Sequence, residues 1–149
     1  MSHPVRTLLV LAVLCLVSAP AAAGVGGGVI WTDLGGGLSG STTPNLEMSG
    51  ELTDDEPAIA LITDAAPAQR LFLIIGSEAA NTPFMGGVLV PSADLLPFTG
   101  FPSFGGSLQI SITSSGLPSG SEIYVQVWVS DPGGPAGASA TNAWQAVLP

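Results

Sequence analysis

Apolar and polar side chains alternate strictly along two segments of the chain. In residues 108–113 the even positions are Leu or Ile, and in residues 123–130 the odd positions are Ile or Val. The even positions of the second segment are Tyr124, Gln126, Trp128 and Ser130. Because a period of two places successive side chains on opposite faces of a strand, both segments are predicted to be half-buried strands. The Gly- and Pro-containing turn at residues 116–120 predicts that the two strands pair as a hairpin.

The remaining apolar segments also have the lengths of strands. Residues 71–75 are apolar at every position and end at Gly76, which predicts a central strand covered on both faces. Shorter candidates are residues 30–34, 46–52, 58–63, 88–90 and 143–148. No window carries the i, i+3, i+4, i+7 apolar stripe of a helix. The chain contains 20 glycines and 13 prolines, and many of them separate the apolar segments. The pattern predicts an all-β fold, an antiparallel Greek-key-like β-sandwich of about seven to nine short strands.

The first 23 residues are predicted to be a secretory signal peptide. Arg6 supplies the positive charge, residues 8–17 form an apolar run, and the small residues 18–23 suit cleavage after Ala23. The run is half the length of roughly 20 residues that a membrane-spanning helix needs. We therefore expect a secreted, extracellular protein with no membrane attachment after cleavage. Residues 24–29 would be a flexible glycine-rich N-terminus and residues 30–149 a single β-sandwich domain.

Cleavage would remove the only His and the only Cys, and the chain has no Lys. Arg70 would remain as the only basic residue, against 11 Asp and Glu. Nucleophilic triads and structural zinc sites need imidazole or thiolate groups, and Schiff-base and Walker chemistry need a lysine. Nucleic acid binding needs cations to replace condensed counterions. The composition therefore predicts no enzyme, no cofactor and no nucleic acid partner.

Acidic residues cluster at one predicted turn. Glu51, Asp54, Asp55 and Glu56 lie within six positions of one another, just before Pro57. Crowded carboxylates can supply some of the six to eight oxygen ligands that Ca²⁺ takes. The spacing does not match an EF-hand loop, so a solvated acidic turn is the alternative. The four residues are a calcium candidate and no more.

The predicted outer face of residues 123–130 is the other candidate for ligand binding. Tyr124 and Trp128 would lie roughly 13–14 Å apart along the strand, with the Gln126 amide between them. Two rings and an amide in this arrangement could stack against a polysaccharide. The alternative is that Trp128 lies beneath a loop, such as residues 131–140, because leaving so large an apolar side chain in water forfeits burial energy.

Five short motifs occur in a fixed order along the chain. They are W-T-D-L-G at 31–35, P-F-M-G-G-V-L-V-P at 83–91, G-L-P-S-G at 116–120, Q-V-W-V-S-D-P at 126–132 and T-N-A at 141–143. Together they resemble a family of secreted bacterial modules found at the C-termini of long extracellular proteins. The resemblance covers residues 31–149 and implies an extracellular β-sandwich accessory module. It brings no catalytic residues.

Two functional classes remain open on this basis. The first is a non-catalytic structural or interaction module of the cell surface or extracellular matrix, with an extracellular protein as its partner. The second is an extracellular carbohydrate- or calcium-binding module, with Tyr124, Gln126 and Trp128 or the acidic turn as its site. In the second class a polysaccharide or Ca²⁺ would be the ligand.

Overall fold

The computed structural model describes residues 13–14, 29–53, 55–102, 105–114 and 116–149. The strands, in chain order, are β1 Val13–Leu14, β2 Trp31–Gly35, β3 Asn45–Ser49, β4 Ala58–Thr63, β5 Arg70–Gly76, β6 Ala79–Phe84, β7 Gly87–Pro91, β8 Leu96–Pro102, β9 Leu108–Ile112, β10 Glu122–Ser130, β11 Ala138–Ala140 and β12 Ala143–Val147. A 3₁₀ turn at Pro135–Gly137 precedes β11. Within these ranges no helix is long and apolar enough to cross a membrane.

Two antiparallel sheets form a β-sandwich. The first sheet has the strand order β1-β9-β4-β3, and the second has the order β2-β12-β10-β5-β8, with β11 also paired to β10. The chain repeatedly crosses from one sheet to the other, as between β4 and β5 and between β9 and β10. Most strands therefore have neighbours that are distant in sequence.

The main core lies between the two sheets. The first sheet contributes alternate residues of β3, β4 and β9, and the second contributes those of β5 and β10. Leu73, Val125 and Val127 of the second sheet face Ile110 and Ile112 of the first, and all five are buried. The burial follows from the period of two, because every second side chain of each strand reaches the same interior.

A β-hairpin covers the outer face of the second sheet and makes a third layer. Strands β6 and β7 pair with each other and not with either large sheet. Leu89 of β7 packs with Ile74 of β5 and Trp128 of β10 in a second cluster of buried residues. The second sheet is thus covered on both faces, as the apolar run at residues 71–75 predicts for β5.

The predicted hairpin between residues 108–113 and 123–130 is wrong. Strand β9 pairs with β4 in the first sheet, and β10 pairs with β5 and β12 in the second. Both strands have an aliphatic face, and these two faces meet across the core instead of lying side by side. The turn at residues 116–120 therefore connects the two sheets.

Besides β1, three strands form in segments that the alternation pattern does not identify. They are β6, β8 and β11, which contain prolines, glycines or alanines where a strand pattern would have β-branched residues. The predicted bounds of the other strands differ from the observed ones by a few residues, and those of Ala58–Thr63 agree.

The predicted signal peptide lies outside the described residues except for Val13–Leu14. These two residues pair antiparallel with Ile112 and Ser111 at the free edge of β9. The predicted flexible segment at residues 24–29 is also outside the description, apart from Val29, which packs against the main core.

Replacing Val127 with Asp should lower the free energy of unfolding by about 3–5 kcal/mol, because it leaves an unpaired charge between the sheets. Val88→Asp is the matched control, since Val88 is 40% exposed on the hairpin and should change the free energy of unfolding by less than about 1 kcal/mol. Urea unfolding followed by circular dichroism measures both. Equal stability of the two variants would contradict the assigned core.

Candidate functional site

The outer face of β10 carries the three residues predicted as a carbohydrate platform. Tyr124, Gln126 and Trp128 share that face, with exposed fractions of 7%, 0% and 2%. The hairpin β6–β7 covers this face, and Ala138 and Ala140 of the neighbouring strand β11 pack beside Trp128. A polysaccharide could therefore stack on these side chains only if the hairpin moved away, and carbohydrate binding through them stays a prediction.

The Gln126 amide holds the hairpin onto the second sheet. Its Oε1 accepts hydrogen bonds from the backbone N–H of Val90 at 3.0 Å and from the indole N–H of Trp128 at 3.1 Å. Its Nε2 donates to the carbonyl oxygens of Thr141 at 3.2 Å, Val88 at 3.3 Å and Gly36 at 3.4 Å. A fully buried amide needs such partners, because an unpaired polar group in the interior is costly.

The side chain of Trp128 is a core residue of this outer layer, as its size predicts. The Phe84 ring meets the Trp128 ring edge-on, with 4.9 Å between ring centroids. The hairpin turn permits this approach, because Met85 and Gly86 both have positive φ, as in a type I′ turn. A methyl group placed on Gly87 would lie 3.3 Å from the Trp128 ring, so the small residue lets the turn approach closely.

At the other end of β10, the Tyr124 hydroxyl forms hydrogen bonds with two side chains of the same chain. Its hydroxyl donates to Glu122 Oε2 at 2.7 Å and accepts from Gln145 Nε2 at 3.1 Å. The hydrogen bond to the Glu122 carboxylate, together with burial, raises the pKa of Tyr124. The phenol thus stays protonated and serves to orient its neighbours.

An apolar cavity of about 460 Å³ opens beside Trp128 at the edge of the hairpin. Phe72 of β5, Phe84 of β6, Phe98 of β8 and Trp128 line it with aromatic rings. Arg70 also lines it, two residues before Phe72 on the same face of β5. Phe98 is 42% exposed, and its ring centroid lies 5.5 Å from that of Phe84. The two rings therefore form one side of the cavity, which is open to solvent at Phe98. Cavities of about 300–1,000 Å³ hold small ligands.

The predicted calcium site is only partly described. Glu51 is partly buried, Asp55 and Glu56 are exposed, and Asp54 lies outside the described residues. Thr53 closes the turn, since its Oγ1 accepts from the backbone N–H of Glu56 at 2.9 Å. In the described part of the chain, no group of three or more His, Cys, Asp or Glu side chains is placed to hold a metal ion. Calcium binding at this turn stays a prediction.

Asp131 is a buried carboxylate that the sequence reading did not single out. Its oxygens accept hydrogen bonds from the Ser41 hydroxyl, from the Ser41 N–H at 2.8 Å and from the Gly133 N–H at 3.0 Å. The Ser41 hydroxyl above all, with the Gly133 and Ser41 N–H groups, holds the pKa of Asp131 below its ordinary value against the opposing effect of burial. The signal in the sequence was an aspartate directly before Pro-Gly, which is typical of a turn.

Asn142 connects the two sheets in a similar way. Its Oδ1 accepts from the Leu46 N–H at 2.9 Å, and its Nδ2 donates to the Leu46 carbonyl at 3.1 Å and to Asp33 Oδ2 at 2.9 Å. The Trp144 indole N–H adds a hydrogen bond of 2.6 Å to the same Leu46 carbonyl. Strand β3 of the first sheet is thereby tied to the β12 end of the second.

No protein-family model, curated protein or solved structure matches the chain. Functional inference therefore rests on the arrangement of the chain's own residues.

Gln126→Leu should lower the free energy of unfolding by about 3 kcal/mol or more. The apolar side chain keeps the volume but leaves two buried N–H donors without an acceptor, at about 1–3 kcal/mol each. Gln145→Leu is the matched control, because the Gln145 amide donates to Tyr124 alone among the hydrogen bonds described and its loss should cost about 1 kcal/mol. Urea unfolding of the two variants measures the contrast. A Gln126→Leu protein no less stable than the control would show that the network is dispensable.

The Asp131 carboxylate should make stability depend on pH. Its folded pKa lies below the unfolded value of about 3.9, so its contribution is fully present above pH 3.9 and is lost as the pH falls through the folded pKa. Asp131→Asn should be less stable than wild type by about 2 kcal/mol at pH 6, because an amide nitrogen would face N–H donors. Thermal unfolding between pH 6 and pH 2.5 should show this difference shrinking below pH 4. A difference that stays constant with pH would contradict the assignment.

Proposed function

We propose that the protein is a non-catalytic, secreted structural or interaction module of the cell surface or extracellular matrix. The observation that carries this proposal is that the polar side chains of the motifs form hydrogen bonds within the protein. Gln126, Asp131 and Asn142 spend their side-chain hydrogen bonds on other parts of the chain. Polar side chains whose hydrogen bonds all go to the protein itself stabilise a scaffold, whereas a reaction centre needs polar groups that are directed at a substrate.

The chemistry of the chain outside the predicted signal peptide supports the same proposal. That part has no His, Cys or Lys, so the usual nucleophile–base pairs cannot be assembled from it. It needs no disulfide, because the main core and the outer layer are closed by packing and hydrogen bonds. Such a domain suits the extracellular space whether conditions are oxidising or reducing.

Export is the first part of the proposal to test. When the full chain is expressed in a bacterial host and the secreted fraction is collected, intact-mass measurement should show a protein that begins at Gly24. A protein that retains Met1 in the membrane fraction would contradict secretion.

The same secreted protein then separates the interaction module from the two ligand-binding alternatives. We expect its melting temperature to be unchanged by Ca²⁺, by a chelator and by soluble polysaccharides. A ligand at 100 times its dissociation constant would add about 2.7 kcal/mol of stability, which a thermal-shift measurement detects readily. A clear rise with Ca²⁺ or with a polysaccharide would replace the proposal by the calcium- or carbohydrate-binding alternative.

A further inference from the structure

We propose that the cavity between the hairpin and β8 binds a small molecule with an apolar body and a single carboxylate group. The inference rests on the proposed function in one respect, which is that the domain binds its ligand without transforming it. It adds a site and a ligand class to that function.

The walls of the cavity define the apolar part of the ligand. Phe72, Phe84, Phe98 and Trp128 present their rings, and Met85 adds a flexible thioether at the hairpin turn. Among the described lining residues, the polar side-chain atoms belong to Arg70 and Ser130, apart from the Trp128 N–H, which Gln126 already accepts. A polysaccharide needs many directed hydrogen bonds and would find few here. An acyl chain or a ring buries well against such a surface.

The charge of the ligand follows from Arg70. It is the only basic residue outside the predicted signal peptide, and none of the described residues that line the cavity is acidic, although the chain contains 11 Asp and Glu. In the described part of the chain its guanidinium makes neither a hydrogen bond nor an ion pair. A carboxylate entering the cavity would pair with a planar fork that matches its geometry.

The Arg70 side chain is supported along the cavity wall. A methyl group placed on Gly100 would lie 3.2 Å from Arg70 Cδ and 3.5 Å from Phe72 Cε1. The stem of Arg70 and the Phe72 ring therefore both pack over the bare backbone of Gly100. This packing limits the positions that the guanidinium can take, so less conformational entropy is lost when a ligand binds.

The positive charge of Arg70 also distinguishes between an anionic and a cationic ligand for this aromatic cavity. Several rings around a cavity can also bind a quaternary ammonium ion through cation–π interactions. Arg70 opposes that use, because a second cation would be placed beside its guanidinium, and no carboxylate of the described lining residues would offset the repulsion. The geometry therefore favours an anionic head group over a cationic one.

Isothermal titration calorimetry with three ligands of one chain length tests the inference. Decanoate and decyltrimethylammonium, each below its micelle-forming concentration, and decanol, below its solubility limit, are titrated into protein expressed from the full chain. We expect decanoate to bind with one site per chain and about tenfold more tightly than decanol, and the cation to bind more weakly than decanol. Tighter binding of the cation would overturn the proposal in favour of an ammonium-binding cavity.

Variants separate the contribution of the Arg70 charge to the binding affinity from that of the apolar cavity wall. Arg70→Gln should weaken decanoate binding about tenfold, to the level of decanol, and leave decanol unchanged, whereas Arg70→Lys should retain part of the preference. Phe98→Ala, at an exposed ring, should weaken decanoate and decanol by the same factor. Ser119→Glu is the matched control: it makes the same change in net charge at an exposed site beyond the far end of β10 and should change neither affinity.

The outcomes also separate this inference from the proposed function. A second apolar depression of about 390 Å³ is lined by Ile30 and Val147, and none of its described lining residues has a charged side chain, so it could take up decyl chains without a preference for carboxylate. Decanoate binding that survives Arg70→Gln at full strength would therefore assign the ligand to another surface and overturn the inference. Absence of decanoate binding would overturn it as well, while leaving the secreted interaction module in place. Recovery of a chemically altered ligand by mass spectrometry would instead contradict the non-catalytic function itself.

Discussion

The buried amide of Gln126 is the interaction on which the outer half of the molecule depends. It sits on the central strand β10, with no exposed surface, and reaches backbone groups of β7, of the segment before β3 and of the residue that follows β11. If the hairpin lifted away from the sheet, the Val90 N–H and the Val88 carbonyl would lose these hydrogen bonds. Because the Gln126 amide is costly to bury without partners, it specifies one arrangement of the three chain segments that contain Val90, Gly36 and Thr141.

The aromatic cavity is a consequence of this arrangement. Once Gln126 fixes β7, the hairpin turn at Met85 places Phe84 against Trp128, and the space between that pair and β8 stays open. The Asp131 and Asn142 networks act in the same sense at other places, since they hold a loop and the opposite sheet to fixed positions. Rigid walls favour binding because little conformational entropy is lost when a ligand enters.

The sequence predicts the fold class and the faces of the strands, and it does so for a physical reason. The alternation in residues 123–130 correctly assigns Val127 to the main core, because one face of that strand must be apolar. It does not determine pairing, because the patterns of β9 and β10 fit either a hairpin or two facing sheets, and the predicted hairpin between them is wrong. The cavity was beyond prediction, because Arg70, Phe84, Phe98 and Trp128 come from four strands, and Phe98 lies where the pairing of β5 and β8 shifts register.

Hydrogen exchange at the Val90 amide tests most directly whether Gln126 fastens the hairpin to the sheet. The Val90 N–H donates to the Gln126 side chain of the sheet below, and this hydrogen bond protects it only while the hairpin is seated. Exchange measured by NMR should give Val90 a protection close to that of Val127, whose amide lies in the middle of β10 and donates to Thr141. If Val90 exchanged as fast as the exposed amides of β6 while Val127 stayed protected, the hairpin would open independently of the sandwich, and the account would be contradicted.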